Sequence, residues 1–247
     1  MRPRRTSPRP EPPRTCDDPP VSRIALLAHG AGSCPETALR LLGPAVPDGV
    51  EARPIDARGA VDDVVARLSD AARGNDVALV GGISLGAHAA ALWSASSGAP
   101  SELLLAMPAW SGVPDDVAAL TAVTADDVEA FGIDRVLATI TALAGDDWVL
   151  DELRRCWRTY DDILLASTLR AAASSPGPTP EALAAITAPT AVVALADDPL
   201  HPVEVGRSWA SLVPDARFAV VGRREPRDDR GVLGRIGRRL LDAAGNR

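Results

Sequence analysis

Short apolar runs alternate along most of the chain with segments of helical periodicity. Apolar runs of β-forming residues indicate buried strands, and side chains that recur at i, i+3, i+4 and i+7 indicate helices packed on a sheet. Val61, Val64 and Leu68 form one such helical stripe. The alternation predicts an α/β fold: a mostly parallel sheet with right-handed crossovers, flanked by helices. The predicted strands cover residues 22–28, 50–56, 102–107, 190–196 and 216–221, and another begins at Val77.

The alternation stops after Met107. From about residue 111 to residue 175 no strand is predicted, and we expect a helix to start at the capping-box pattern Thr124-Ala125-Asp126-Asp127. We therefore expect residues 21–110 and 176–247 to form an α/β core and residues 111–175 to form a helical cap over the strand tips. Aromatic residues concentrate in this cap, where they either line an apolar pocket or pack as core. They are Phe131, Trp148, Trp157 and Tyr160, with Trp110 at the entrance.

Residues 1–20 differ from the rest of the chain in composition. They hold seven prolines and five arginines with almost no apolar side chains. Such a segment cannot bury enough surface to offset the entropy of ordering, so we expect a disordered tail. Because no apolar segment follows Arg4-Arg5 before the first strand, an export signal is not expected.

Charge and composition narrow the function classes. A net charge of -7 argues against binding to nucleic acid or to an anionic membrane surface. No apolar run approaches the roughly 20 residues of a membrane span. The three cysteines, Cys16, Cys34 and Cys156, have neither metal-ligand nor redox spacing. We expect a cytoplasmic protein without a metal site.

The apolar run that begins at Val77 carries the clearest chemical signal. It ends in Gly82-Ile83-Ser84-Leu85-Gly86 and passes directly into an alanine-rich helical pattern. A serine between a strand and a helix lies on a tight turn, which needs small residues on both sides. Its hydroxyl then stands at the positive end of the helix dipole. Ser84 is therefore the predicted nucleophile, and a structural serine at a glycine-rich strand end is the alternative.

A second glycine-rich loop follows the first predicted strand, with the sequence His29-Gly30-Ala31-Gly32-Ser33. Glycines here let the backbone bend so that an N–H group points over the sheet edge, where it could meet an oxyanion beside the N–H of Leu85. An ordinary strand-to-helix loop is the alternative. A dinucleotide site is not expected, because no G-x-G-x-x-G pattern follows.

A carboxylate follows the strand predicted at residues 190–196, in the sequence Asp197-Asp198-Pro199-Leu200-His201-Pro202. An acid at this position can orient and stabilise an imidazolium. Asp198 is the preferred residue and Asp197 the second choice. A helix-capping role before Pro202 is the alternative.

In this chain order, the glycine-rich loop, the serine turn, the helical insertion and the late aspartate resemble the α/β-hydrolase superfamily over about residues 22–243. The resemblance implies that Ser84 is the nucleophile, that the Gly30 and Ala31 region supplies part of the oxyanion hole, and that Asp198 is the acid. Known members are mostly esterases, lipases, thioesterases and peptidases that use no cofactor.

The chain departs from the superfamily at the catalytic base. In the superfamily a histidine follows the last strand, but here residues 222–230 contain none. Of the three histidines, His201 is the preferred base because it lies close to Asp198, while His29 and His88 are alternatives. Glu225 or Asp228 could act as a weaker base.

These observations predict a serine hydrolase that acts on a small-molecule ester or thioester with an apolar acyl group. Two other functions remain open. The chain could be a degenerate member of the fold that binds an apolar ligand or a partner, or a non-hydrolytic cyclase or lyase.

Overall fold

The computed structural model describes residues 22–96, 100–145 and 147–245. The tail predicted for residues 1–20 lies outside the described residues. No helix in the described part of the chain is both long enough and apolar enough to cross a bilayer.

The described residues form a six-stranded, all-parallel sheet, which confirms the predicted fold class. The central strands are buried almost throughout, whereas the two edge strands are more exposed. This difference arises because helices cover both faces of a parallel sheet, so central strands become continuous apolar runs. The strands are β1 (Arg23–Ala28), β2 (Glu51–Ile55), β3 (Asp76–Ile83), β4 (Glu102–Ala106), β5 (Thr190–Leu195) and β6 (Ala216–Val221). Their order across the sheet is β2-β1-β3-β4-β5-β6.

Two apolar layers enclose the sheet. One face packs against helices that carry Val64, Leu68 and Trp209, and the other against helices that carry Leu42 and Leu233. The helices of the core are α1 (Pro35–Leu42), α2 (Val61–Ala72), α3 (Leu85–Ser96), α8 (Pro180–Ala184), α9 (Val203–Leu212), α10 (Glu225–Asp228) and α11 (Val232–Gly245).

Of the described helices between β4 and β5, four fall within residues 111–175, where the sequence predicts a cap. We call them the cap. They are α4 (Asp116–Phe131), α5 (Ile133–Ala144), α6 (Trp148–Trp157) and α7 (Asp162–Ser174).

The helix start predicted at Thr124 is wrong. Helix α4 begins at Asp116, and the Asp115 carboxylate accepts a hydrogen bond of 2.9 Å from the N–H of Val117. Asp115 caps the helix earlier, so Thr124 lies in its interior, where its hydroxyl donates to the Leu120 carbonyl.

Candidate active site

Ser84 lies at the sharp turn between β3 and α3, at the carboxyl edge of the sheet. Its φ of 54° is in the left-handed region, which is unfavourable for a non-glycine residue. The Ser84 N–H donates to the carbonyl of Ala106 on β4 at 3.0 Å, and the Ser84 carbonyl accepts from the N–H groups of Ala87 and His88. Both sides of the turn are thus held by backbone hydrogen bonds, which maintain the strained conformation.

The two glycines around Ser84 have no space for a side chain. A Cβ at Gly82 would overlap the Gly86 carbonyl, and a Cβ at Gly86 would overlap the Ala28 carbonyl at the end of β1. The structure therefore contains the strand, turn and helix that the sequence predicts here, with the close backbone contacts that require glycine.

A cavity of about 470 Å³ lies between this turn and the cap, and Ser84, Leu85, Ala31 and His201 line it. Its remaining wall is mainly apolar and comes mostly from the cap, with side chains such as Leu120, Ile140, Leu153 and Leu169. Two larger open hollows, of about 920 and 710 Å³, contain none of the predicted site residues. We therefore assign the candidate active site to the smaller, apolar cavity.

The aromatic residues of the cap region divide between pocket and core. Trp110 and Trp157 line the cavity. Trp148 is buried in the core under the sheet, and Phe131 is 66% exposed on the surface. Some of these aromatic residues therefore line a pocket and another packs as core, which are the two roles that the sequence left open.

The loop after β1 lies directly against Ser84. A Cβ at Gly30 would be 3.1 Å from the Ser84 Cβ, so this loop approaches the serine as closely as a glycine permits. Among the described residues no acceptor pairs with the N–H of Ala31 or with that of Leu85, the first residue of α3. Unpaired N–H groups beside a serine hydroxyl are the donors that an oxyanion site needs.

Asp198 and His201 form a pair in the loop after β5. Nδ1 of His201 lies 3.1 Å from Oδ2 of Asp198. The Asp198 side chain is only 5% exposed, whereas Asp197 is exposed. Asp198 does not cap α9, because its Oδ1 accepts from the N–H of Leu200 and the residue before that helix is Pro202.

The Asp198 carboxylate also faces a guanidinium. Nη1 of Arg223, in the loop after β6, lies 2.9 Å from Oδ2 of Asp198. Burial raises the pKa of Asp198, but the hydrogen bond from His201, the positive charges of His201 and Arg223, and the Leu200 N–H outweigh burial and lower the pKa to about 2. Asp198 is therefore ionised at neutral pH.

The ionised carboxylate fixes the tautomer of His201. A carboxylate only accepts hydrogen bonds, so Nδ1 of His201 carries the proton and donates it to Asp198. Nε2 of the neutral ring is then an acceptor. This is the tautomer that a general base requires.

Solved structures of other proteins share this architecture. An acetylester hydrolase from Corynebacterium glutamicum matches with a TM-score of 0.71 and 15% identity, over 90% of this chain and 86% of that chain. A thermophilic esterase from Thermogutta terrifontis matches with a TM-score of 0.67 and 16% identity, over 91% of both chains. The chain has the α/β-hydrolase fold. No model of a known protein family and no curated protein sequence matches the chain.

Within this α/β-hydrolase fold, His29 and His88 are both fully buried and do not line the cavity. His29 is fully buried, its Nδ1 donates to the Gly30 carbonyl at 2.8 Å, and its Nε2 accepts from the Ala57 N–H at 2.9 Å. His29 thus braces the loop after β1.

His88 is also buried, and its Nε2 accepts from the N–H of Ala109 at 3.2 Å. Burial, together with the positive charge of His201, lowers the pKa of His88 to about 3. The ring is therefore neutral and packs edge-on against Trp110, with ring centroids 4.8 Å apart. Neither His29 nor His88 lines the cavity.

The two weaker bases considered from the sequence, Glu225 and Asp228, do not line the cavity either. Both side chains are exposed, and Oε1 of Glu225 accepts from the Gly222 N–H at 2.7 Å. Glu225 thereby closes the turn that follows β6.

Sequence reasoning missed Arg223 and Asp147, which both line the cavity. Asp147 precedes α6, and its Oδ2 accepts from Nε and Nη2 of Arg223 at 3.0 and 2.6 Å. The position of Arg223 in the chain was a usable signal. Arg223 follows β6 and Asp198 follows β5, and because these adjacent strands are parallel, both residues lie at the same edge of the sheet. No comparable signal pointed to Asp147.

In the described part of the chain no group of three or more His, Cys, Asp or Glu side chains could hold a metal ion. Within the same residues no side chain hydrogen-bonds the Ser84 hydroxyl, which lies open to the cavity.

Proposed function

We propose that this protein is a serine hydrolase that cleaves a small-molecule ester or thioester with an apolar acyl group. One observation carries the proposal: Ser84, on a strained turn, and His201, whose ring pairs with the buried Asp198, line the same apolar cavity. The fold supports it, since several structures with this fold are described as esterases, and one from Burkholderia xenovorans as an enol-lactonase.

In the proposed acylation step, Oγ of Ser84 attacks the carbonyl carbon of the substrate. The Oγ proton passes to Nε2 of His201, and Asp198 stabilises the resulting imidazolium through Nδ1–H. The N–H groups of Ala31 and Leu85 hold the oxyanion of the tetrahedral intermediate. When this intermediate collapses, the alcohol or thiol leaves with the proton from His201, and the acyl group remains on Ser84.

Water completes the reaction. His201 takes a proton from a water molecule, the hydroxide attacks the acyl carbon, and the carboxylic acid leaves as Ser84 regains its proton. His201 must approach the Ser84 hydroxyl to hydrogen-bonding distance in the substrate complex. Such contacts are often long in enzymes without substrate and tighten when it binds.

The cavity wall defines the acyl specificity in this proposal. Apolar side chains from all four cap helices, such as Leu120, Ile140, Leu153 and Leu169, face the space beside Ser84. A neutral hydrocarbon acyl group can bury its surface there, at about 0.8 kcal/mol for each CH₂.

Labelling with a fluorophosphonate probe tests the proposal, because the probe reacts only with an activated serine. We expect rapid labelling of the intact protein, none of Ser84→Ala, and at least a thousandfold slower labelling of His201→Gln. Ser96→Ala, which changes an exposed serine on the same helix, should label normally. Normal labelling of His201→Gln would keep the nucleophile but exclude His201 as the base.

A second candidate function is ligand binding without hydrolysis. It is favoured by the lack of a hydrogen-bond partner for the Ser84 hydroxyl among the described residues. If the intact protein does not label, titration with a fatty acid becomes the deciding measurement. Trp110 and Trp157 line the cavity, so a bound acyl chain should change the tryptophan fluorescence.

A further inference from the structure

Arg223 binds two carboxylates that come from distant parts of the chain. Its Nη1 lies 2.9 Å from Oδ2 of Asp198, in the loop after β5. Its Nε and Nη2 donate to Oδ2 of Asp147, at the start of cap helix α6. The three nitrogens of the guanidinium are thus divided between the acid of the candidate site and the cap.

The backbone of Arg223 is held as well as its side chain. The indole N–H of Trp148, the first residue of α6, donates to the Arg223 carbonyl at 3.0 Å. Asp147 and Trp148, two successive residues of the cap, therefore both bind Arg223 of the core. The Arg223, Asp147 and Asp198 side chains are only 23%, 20% and 5% exposed, so water screens their charges weakly.

Arg223 and His201 share one carboxylate oxygen. Oδ2 of Asp198 lies 3.1 Å from Nδ1 of His201 and 2.9 Å from Nη1 of Arg223, while Oδ1 accepts from the Leu200 N–H. Nη1 of Arg223 makes no hydrogen bond within the described residues, so its contact with Oδ2 is an ion pair, whereas Leu200 and His201 hydrogen-bond the two oxygens. Without the guanidinium, Oδ2 of Asp198 would keep its hydrogen bond with His201 but lose a positively charged partner from the loop after β6.

We propose that Arg223 is a positioning residue, which holds the Asp198 carboxylate in place beside His201 and ties that carboxylate to the start of α6. The consequence for catalysis rests on the proposed function, whereas the effect on the Asp198–His201 hydrogen bond does not. The competing explanation is that Arg223 only fastens the cap to the core. The two explanations differ in what Asp147→Asn does, because this change removes the charged partner of Arg223 in the cap and keeps the contact with Asp198.

The first test observes the hydrogen bond directly and needs no activity. An imidazole N–H bonded to a carboxylate gives a downfield proton NMR signal, which His201→Gln identifies by its loss. We expect this signal in the intact protein, in Asp147→Asn and in Arg224→Met, a matched change of the exposed neighbouring arginine. In Arg223→Met we expect it to broaden beyond detection, and in Arg223→Lys to return in part. An unchanged signal in Arg223→Met, or none in the intact protein, would overturn the proposal.

The second test measures the rate of fluorophosphonate labelling at Ser84. We expect Arg223→Met to label at least tenfold more slowly and Asp147→Asn less than threefold more slowly, with Arg224→Met unchanged. Millimolar guanidinium should restore part of the rate in Arg223→Ala, because it can refill the vacated position beside Asp198. Equal losses in Arg223→Met and Asp147→Asn, without rescue, would show that Arg223 only fastens the cap. An intact protein that fails to label but shows the NMR behaviour would reject the proposed hydrolase and keep the positioning role.

Discussion

At the scale of single residues, strain concentrates at one edge of the sheet. In the described part of the chain, three non-glycine residues have a positive φ: Ser84, Met107 and Asp197. They follow β3, β4 and β5, so all three lie at the carboxyl edge that carries the candidate site. Each such residue costs about 1–3 kcal/mol, and the surrounding packing must stabilise it.

Gly82→Ala tests the packing that holds the Ser84 turn. The new Cβ would overlap the Gly86 carbonyl, and backbone cannot move aside as a flexible side chain can. We expect a loss of more than about 4 kcal/mol in the free energy of unfolding, measured with urea, or failure to fold. Gly43→Ala is the control, since its Cβ meets nothing within 4 Å, and it should change stability by less than about 1 kcal/mol. A Gly82→Ala protein of normal stability would contradict the geometry described for this turn.

Asp198→Asn tests the charge of the candidate acid through its pH dependence. The partners of Asp198 lower its pKa from 3.8 to about 2 in the folded protein, so its ionised form stabilises the fold above about pH 4. This stabilisation amounts to about 2 kcal/mol and is lost as the pH falls from about 4 towards 2. The stability deficit of Asp198→Asn should therefore be largest at pH 7 and shrink as the pH falls towards 2.

Urea unfolding at several pH values measures this deficit. Asp197→Asn changes the exposed neighbouring carboxylate and should alter stability by less than about 0.5 kcal/mol throughout. A deficit of Asp198→Asn that stays constant down to about pH 2 would show that the carboxylate has no stabilising partners.

At the scale of elements, helix α6 is the main electrostatic link between cap and core. Its acidic residues and the residue before it pair with arginines of the core from three separate positions. The pairs are Glu152 with Arg40 and Arg230, Asp147 with Arg223, and Asp151 with Arg230. Of these three carboxylates, only that of Glu152 is nearly completely buried, at 7% exposure.

Glu152→Gln should therefore destabilise the protein far more than Asp151→Asn, the change at the neighbouring residue. The change leaves the Arg40 guanidinium without its charged partner in a poorly solvated site, and we expect a loss of about 3 kcal/mol. Asp151→Asn removes a carboxylate that is 56% exposed, and should cost less than about 1 kcal/mol. Thermal unfolding of the two variants makes the comparison. Similar losses in both would mean that burial of Glu152 does not determine the strength of this link.

The elements themselves were largely predictable, because hydrophobic periodicity directly reports burial on a sheet. Apolar runs such as Thr190–Leu195 are buried on both faces of the sheet, and the sequence predicts them as strands. Helix boundaries in the cap were harder, as Thr124 shows, since Asp115 offers an equally local capping signal. Which of the two capping signals is used depends on which residues the cap buries, and hydrophobic periodicity alone does not determine that.

At the scale of the whole molecule, chain order made the site predictable in part. Parallel strands bring every loop that follows a strand to one edge, so Ser84, Ala31 and His201 could be placed together before the structure was known. The pairing of Arg223 with Asp147 was not predictable, because it joins residues 76 positions apart across the cap interface. Ion pairs carry no periodicity and follow only from the docking of the cap.

The volume of the cavity between cap and core should determine how activity depends on the length of the acyl chain. In a series of p-nitrophenyl esters, kcat/KM should rise about fourfold for each CH₂, the equivalent of about 0.8 kcal/mol, until the chain fills the roughly 470 Å³ available. Longer chains should lose activity, because a close-packed wall does not expand without strain.

Ile140→Trp fills part of the cavity and should move the optimum to shorter esters. Leu143→Trp adds the same side chain on the same helix at a position 83% exposed, and should leave the optimum unchanged. An optimum that both variants share with the intact protein would mean that the acyl chain binds elsewhere.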